Sequence, residues 1–366
     1  MNWLQKPIHS SSQVTKYRIR RIIFISLAWT LIDLIFYLRN VSAGDDIHYP
    51  YMEISFTACL LRSGIVLLVS FLMSWLLLKE IKIEFSSRAL IFGWVVKTIL
   101  LLLIALAAAT VIFFLDFLII KKVSFTEIVL EVQNHFLWTH FATDSLFFWV
   151  VMLLSALIIV EIDRKYSPGV FWELLSGKYL KPRNEKRIIM FLDLKDSTPI
   201  CEKLGHEKYF LFIKDFIYCV SKAILENQGM IYQYVGDEVV VTWPFKKRNI
   251  LKSLNAVIDS RKVIQSNSDH FRKEYEGIVP DFRVGLHAGD VTIGEIGILK
   301  KDIAISGEAM NIAARIRSTC NELNHKFVVS KEYFESGILK SWQGEDLGEV
   351  SLKGVDESIQ LYALKI

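Results

Sequence analysis

The stretch "FLDLKDSTPI", residues 191 to 200, climbs through apolar residues as a buried strand does, yet carries Asp193 and Asp196 before breaking at Ser197, Thr198 and Pro199. An ionised carboxylate removed from water must be paired, hydrogen-bonded or bound to a metal. The run "RIIMFLDL", Arg187 to Leu194, reads as a central strand. Ser197 and Thr198 just before Pro199 signal a capped helix start, because the missing proline N–H costs nothing there. A carboxylate at a strand end beside the free backbone N–H groups of a helix start suits a metal-bound polyphosphate.

One carboxylate is rarely enough for a magnesium site, and "MIYQYVGDEVVVTWPF", residues 230 to 245, supplies a second. Ile231 to Val235 and Val239 to Trp243 are β-rich runs with Gly236 and Asp237 at the turn between them. If this hairpin pairs beside the first strand, Asp193 and Asp237 meet at one end of the sheet. Either alone would read as a helix cap or a turn residue. Further on, "DFRVGLHAGDVTIGEIG", residues 281 to 297, reads as strand, turn and strand, with glycines that allow close backbone approach. The segment "ISGEAMNIAARIRSTCNE", residues 305 to 322, reads as a loop ending at Gly307 and then a helix. Asn311 and Arg315, four apart, project from one face of it.

These elements occupy only the second half of a 366-residue chain, long enough for two units of ordinary size. Residues 1–162 hold four apolar runs, Arg21 to Leu38, Ala58 to Leu78, Ala89 to Ile119 and Ser145 to Ile162, each near the ~20 residues that a spanning helix needs. Four spans put both chain ends on one side of a membrane. Lys16, Arg18, Arg20, Arg21, Lys79, Lys82, Arg88, Arg164 and Lys165 flank that side, so the positive-inside rule makes it cytoplasmic. Asp33, Arg62, Lys97 and Asp116 fall within the runs, where facing lipid is costly; pairing of Asp33 with Arg62 or Lys97 is the simplest account. Few such charges and no repeated half argue against a transporter. The four cysteines lack metal-ligand spacing, and three lie in the cytoplasmic part, so neither disulfide nor zinc site is expected. The formal charge of +4 is accounted for by the basic residues flanking the runs and gives no reason to expect nucleic acid. Residues 163–186, with Pro168, Gly169, Gly177 and Pro182, read as a joint carrying a short apolar patch at Phe171, Trp172, Leu174 and Leu175.

Taken in order, "FLDLKDST", "YVGDEVVVTW", "RVGLHAGDVTIGEIG", "ISGEAMNIAARI" and "SLKGVDESIQLYAL" resemble the class III adenylate/guanylate cyclase catalytic domain over about residues 185 to 366. Five ordered motifs are far more specific than one short pattern. The resemblance implies a ferredoxin-like α+β domain at 187–366, behind a four-helix transmembrane anchor of the kind many bacterial members carry. It implies a cell-membrane, multi-pass protein with its N-terminus and catalytic domain cytoplasmic, working as a homodimer with sites shared between subunits.

By the same resemblance, Asp193 and Asp237 hold two Mg²⁺ or Mn²⁺ ions, with the backbone carbonyl of Leu194 as a further ligand. Asn311 orients the ribose of a nucleoside triphosphate, ATP first among them. Arg315 stabilises charge on the α-phosphate, Lys353 in "LKGV" contacts the outer phosphates, and Ser197 and Thr198 lie beside the triphosphate. The two positions that read the base depart from the family pattern. Gln233 stands where adenylate cyclases usually have lysine and guanylate cyclases glutamate; Ala304 stands where Asp, Thr or Cys is usual. An amide both donates and accepts, whereas a methyl group reads nothing by hydrogen bonding. Asp290 stands where some members have a phosphate-contacting arginine. The alternative to an active cyclase is a silent nucleotide-binding module or one using a non-adenine nucleotide; retention of Asp193, Asp237, Asn311 and Arg315 together favours activity.

Overall fold

A computed structural model of the chain describes residues 13–42, 56–78, 176–298, 301–336, 344–354 and 358–365, with scattered positions between 96 and 158. Its contacts part into two compact units, one of Lys16–Lys165 and the other of Met1–Thr15 with Tyr166–Ile366.

In the first unit, helices α1 (Gln13–Ser42) and α2 (Phe56–Leu78) contain two segments long and apolar enough to cross a membrane, Thr15–Leu38 and Cys59–Leu76. Their outward faces are apolar, with Phe24, Leu31, Leu60 and Leu68 all exposed. Asp33 is buried and takes a two-point contact from Arg62, Nη2 to Oδ1 at 3.0 Å and Nε to Oδ2 at 3.1 Å. The same guanidinium lies over the Tyr37 ring, 4.9 Å from its centroid. Of the alternatives open to Asp33, Arg62 is the partner found. Two charges that would be costly singly in an apolar setting satisfy each other. The described residues of the third and fourth apolar runs are helical, and Met152, Leu153 and Ala156 join Ile22, Trp29, Val66 and Met73 in one apolar cluster. Lys97 and Asp116 lie outside the described residues.

The second unit runs β1 (Arg183–Leu194), α3 (Ser197–Leu204), α4 (His206–Glu226), β2 (Met230–Val235), β3 (Glu238–Pro244), α5 (Lys247–Ser266), α6 (Ser268–Glu274) and β4 (Phe282–Ile296). Then come β5 (Asp302–Ser306), α7 (Glu308–Thr319), β6 (Phe327–Ser330), α8 (Lys331–Phe334), β7 (Gly344–Val350) and β8 (Ile359–Leu364). The sheet order is β2-β3-β1-β4-β6-β8-β7, with β5 added to β4. The antiparallel order β2-β3-β1-β4, with helices between β1 and β2 and between β3 and β4, is the βαββαβ arrangement of ferredoxin-like folds.

Strand β1 is apolar on both faces because both are covered. Ile188, Met190 and Leu192 pack with Phe212, Phe216 and Leu254 of α4 and α5. Ile189 and Phe191 pack with Ala309 and Ala313 of α7 on the other face. Such a strand reads as a continuous apolar run rather than an alternating one. It starts at Arg183, four residues before the strand read from sequence, and Tyr179 just ahead is already buried in the same cluster as Ile189.

Residues 282–296 correct the strand-turn-strand reading: they form one 15-residue strand, paired with β1 from Arg183↔Ile293 to Leu194↔Phe282. The turn is absent, while the close backbone approach expected at the glycines is found. A Cβ on Gly285 would lie 2.4 Å from the Arg317 backbone nitrogen and 2.8 Å from the Ala313 oxygen of α7. One on Gly289 would meet Ala309 Cβ at 2.7 Å. Helix α7 therefore rests directly on the β4 backbone.

His287, on β4 between these glycines, is buried with Nδ1 2.8 Å from Ser330 Oγ and 3.6 Å from Glu332 Oε2. Burial holds its pKa down to about 4 against the attraction of Glu332, with Lys186 adding to the depression. A group that stays neutral in the fold but protonates in the unfolded chain near pH 6.5 favours unfolding as pH falls. Stability attributable to His287 is therefore complete above about pH 6.5 and declines toward pH 4, by up to ~1.4 kcal/mol per pH unit. Denaturant unfolding at a series of pH values checks this: His287→Gln should flatten the decline between pH 6.5 and 4, relative to the native chain.

Candidate active site

Pairing of β1 with β3 sets Asp193 directly opposite Glu238, so that Asp237, in the two-residue turn preceding β3, lies at the same end of the sheet. Gly236 shapes that turn at φ 63°, where a side chain would be strained. On the other side, β1 pairs with β4 to put Arg283 opposite Asp193. The expected meeting of two carboxylates at the sheet end therefore follows from register, and a third carboxylate, Glu238, joins them.

Burial raises the pKa of Asp193, Arg317 opposes the shift, Asp237 reinforces it, and Arg283 opposes it again. Glu238 is raised for the same reason, desolvation first, with Arg317 opposing and Asp193 and Asp237 reinforcing. Arg317, a residue the motif reading passed over, is the cation nearest to both: its Nη1 lies 3.3 Å from Asp193 Oδ2 and its Nη2 2.5 Å from Glu238 Oε2. Its signal in the sequence was only spacing, since 317 falls on a different face of α7 from 311 and 315.

The helix start differs in detail from the sequence reading. The N-cap position of α3 is Asp196, in the left-handed region at φ 58° with no side-chain capping bond, so the hydroxyl-cap reading of Ser197 and Thr198 is corrected. Asp and Asn tolerate that conformation better than most residues. Tyr209 was also missed. Burial raises its pKa, with a further rise from Asp237. Leu194 buries its side chain in the core and offers only its backbone at this end.

Asn311 and Arg315 are both exposed on α7, while Ile312 and Ile316, the residue after each, are buried. Neither belongs to the acid cluster of its own chain; they face outward while Arg317 faces in. Gln233 is exposed on the edge strand β2, just beyond a bulge, and Ala304 is half-buried on β5 opposite Gly294. The Ile305 N–H donates to the Tyr232 hydroxyl at 3.3 Å, tying β5 to β2 beside these two positions. Lys353 is exposed next to Leu352, which is buried in one cluster with Ile312 and Ile316 of α7. Asp290 is exposed on β4, and its carbonyl would lie 3.1 Å from a Cβ on Gly307.

Hard oxygen donors that repel one another and are partly desolvated are a fitting set for a divalent cation. Glu238 Oε2 is buried at the same corner, where Arg317 Nη2 meets it at 2.5 Å. Among the described residues no three or more of His, Cys, Asp or Glu are grouped so as to hold a metal ion by themselves. The cluster is thus an open one whose remaining ligands would come from backbone, water and a bound phosphate, as magnesium tolerates.

If the cluster holds a divalent ion, Mg²⁺ or Mn²⁺ at saturating concentration should raise the melting midpoint, since a ligand at about 100 times its Kd contributes ~2.7 kcal/mol. Asp193→Asn should abolish that rise while leaving the metal-free midpoint equal to or above that of the native chain, because it removes a desolvated charge. Thermal unfolding with and without metal reads both effects.

Comparison with known proteins places these observations. The chain spans 58% of the length of Adenylate cyclase 2 of Rhizobium meliloti (strain 1021), with 29% identity over 210 residues, 57% of this chain. It is 28% identical over 190 residues to an adenylate cyclase of Anabaena cylindrica, covering 48% of this chain and 36% of that one. Among solved structures, a bacterial light-regulated adenylyl cyclase superposes with a TM-score of 0.52 at 18% identity, over 59% of this chain and 64% of that one, a likeness of fold. The profile of the Adenylate and Guanylate cyclase catalytic domain matches residues 180–366, half of the sequence, and the chain belongs to that family.

Proposed function

We propose that the protein is a membrane-bound nucleotide cyclase that converts a nucleoside triphosphate into the cyclic monophosphate and pyrophosphate for intracellular signalling. The observation that carries this reading is the register of β1 with β3, which brings Asp193 and Asp237 to one sheet end. Two relatives bear the name adenylate cyclase, which supports ATP as substrate. Gln233 and Ala304 leave the base contact to one amide, so the purine preference is the part of the reading that the assay below decides.

In this mechanism Asp193, Asp237 and the Leu194 carbonyl hold the divalent cations, Mg²⁺ or Mn²⁺. Once bound, these supply acidification of the ribose 3′-hydroxyl and charge neutralisation on the triphosphate. Asn311 orients the ribose so that its 3′-oxygen lies in line with the α-phosphorus. Arg315 meets the charge that grows on the α-phosphate, and Lys353 and the helix start at Ser197 and Thr198 take the outer phosphates. Because Asn311 and Arg315 point away from their own acids, they are assigned to the acid cluster of a second copy, giving two symmetric sites per homodimer.

For the first unit, the apolar outward faces of α1 and α2 and the paired Asp33 and Arg62 support a multi-pass anchor in the cell membrane, four spans in all, with N-terminus and catalytic domain cytoplasmic. Sedimentation with membranes that persists after alkaline carbonate washing is expected; release into the supernatant would refute the anchor.

The decisive assay offers ATP, GTP, CTP and UTP separately to the full-length protein in detergent, with Mg²⁺ or Mn²⁺. Cyclic product from one nucleotide, lost in Asp237→Ala, is the expected result. Arg315→Ala should cost roughly 10²-fold or more in rate, the worth of a positioned donor. Co-expression of Asp237→Ala with Arg315→Ala should return roughly a quarter of native activity, since each mixed dimer retains one intact site. Inactivity of the mixture would exclude shared sites, and no product from any nucleotide would favour a silent module.

A further inference from the structure

We infer that Arg317 is a built-in counterion of the acid cluster and competes with the divalent cation for Asp193; the inference rests on the metal reading given above. Arg317 bridges two carboxylates, Asp193 at 3.3 Å and Glu238 at 2.5 Å, across 124 residues of sequence separation from the first. Its side chain is only 29% exposed, so the charge is poorly screened by solvent. The position is enforced by the fold: Gly285 lets the α7 backbone at Arg317 come within what would be 2.4 Å of a Cβ, which brings the guanidinium within reach of the strand end.

The contact is not a completed structural ion pair. Arg317 Nε is buried without a hydrogen-bond partner, although Nη2 is in contact with Glu238 Oε2. A guanidinium that satisfied all its donors in a planar fork would not leave Nε idle. Glu238 therefore serves as a second seat: when a cation takes Asp193, Arg317 keeps one carboxylate partner. Arg283, the other cation near Asp193, has its own acid in Asp196, at 3.9 Å, and provides a comparison.

Removal of a positive charge a few ångströms from a bound divalent ion should tighten binding by on the order of 10-fold. The test titrates Mn²⁺ into metal-stripped full-length protein in detergent, following the electron paramagnetic resonance signal of free Mn²⁺, with the melting midpoint of the metal-free protein measured alongside. Arg317→Gln should lower the metal-free midpoint, tighten Mn²⁺ binding by about 10-fold and lose the midpoint deficit when Mn²⁺ is added. Arg317→Lys should stay within a few-fold of native, and Arg283→Gln should change affinity less than Arg317→Gln does. Glu238→Gln, which confines Arg317 to Asp193, should weaken Mn²⁺ binding more in the native background than in Arg317→Lys or Arg317→Gln, so that loss of the carboxylate charge alone is separated from the competition. Native binding of Mn²⁺ with affinity unchanged or weakened in Arg317→Gln would overturn the competition and leave the metal reading standing. Absence of Mn²⁺ binding in every variant would overturn the metal reading and the competition together.

Discussion

Carboxylates brought out of water at the end of a central strand must be answered by opposite charge, and much of the catalytic unit is arranged around that requirement. Strand β1 is buried on both faces, so its terminal Asp193 cannot escape to solvent without leaving the register that holds Glu238 opposite it. The hairpin then adds Asp237 to the same corner. Three like charges in a partly desolvated place are unstable alone. Arg317 and Arg283 are the cations the chain supplies, and the chemistry of the set suits a hard divalent ion.

Helix α7 links this corner to the surface. The absence of side chains at Gly285 and Gly289 lets it settle on β4, with Ile312 and Ile316 buried beneath and Leu352 packed in the same cluster. One helix can then direct Arg317 to the acids of its own chain while Asn311 and Arg315 stand exposed. This division is what a symmetric assembly with complementary half-sites requires, and it explains geometrically why a single chain does not gather all the motif residues in one place.

The first unit meets the same electrostatic demand in apolar surroundings. Asp33 and Arg62 come from different helices and form a two-point hydrogen-bonded pair, with the guanidinium over the Tyr37 ring. Leaving either alone would expose an uncompensated charge to neighbours that cannot solvate it. The pairing also fixes the register of α1 against α2, because a guanidinium fork meets a carboxylate in few geometries.

By itself the sequence determined the strand ending at Leu194, the hairpin around Gly236 and Asp237, the placement of Asn311 and Arg315 on one helical face, and the two apolar helices. Each rests on local periodicity or turn chemistry, which a few neighbouring residues settle. The same local logic failed where distant elements decide. Residues 282–296 look like strand, turn and strand until the long pairing with β1 shows a single strand, and Ser197 looks like a cap where the backbone instead puts Asp196. Asp33 had two candidate partners, and only the packing of α1 on α2 selected Arg62. Arg317 was invisible to pattern because its partners lie far away in the chain, and only the sheet register and the close approach of α7 bring the charges within reach of each other.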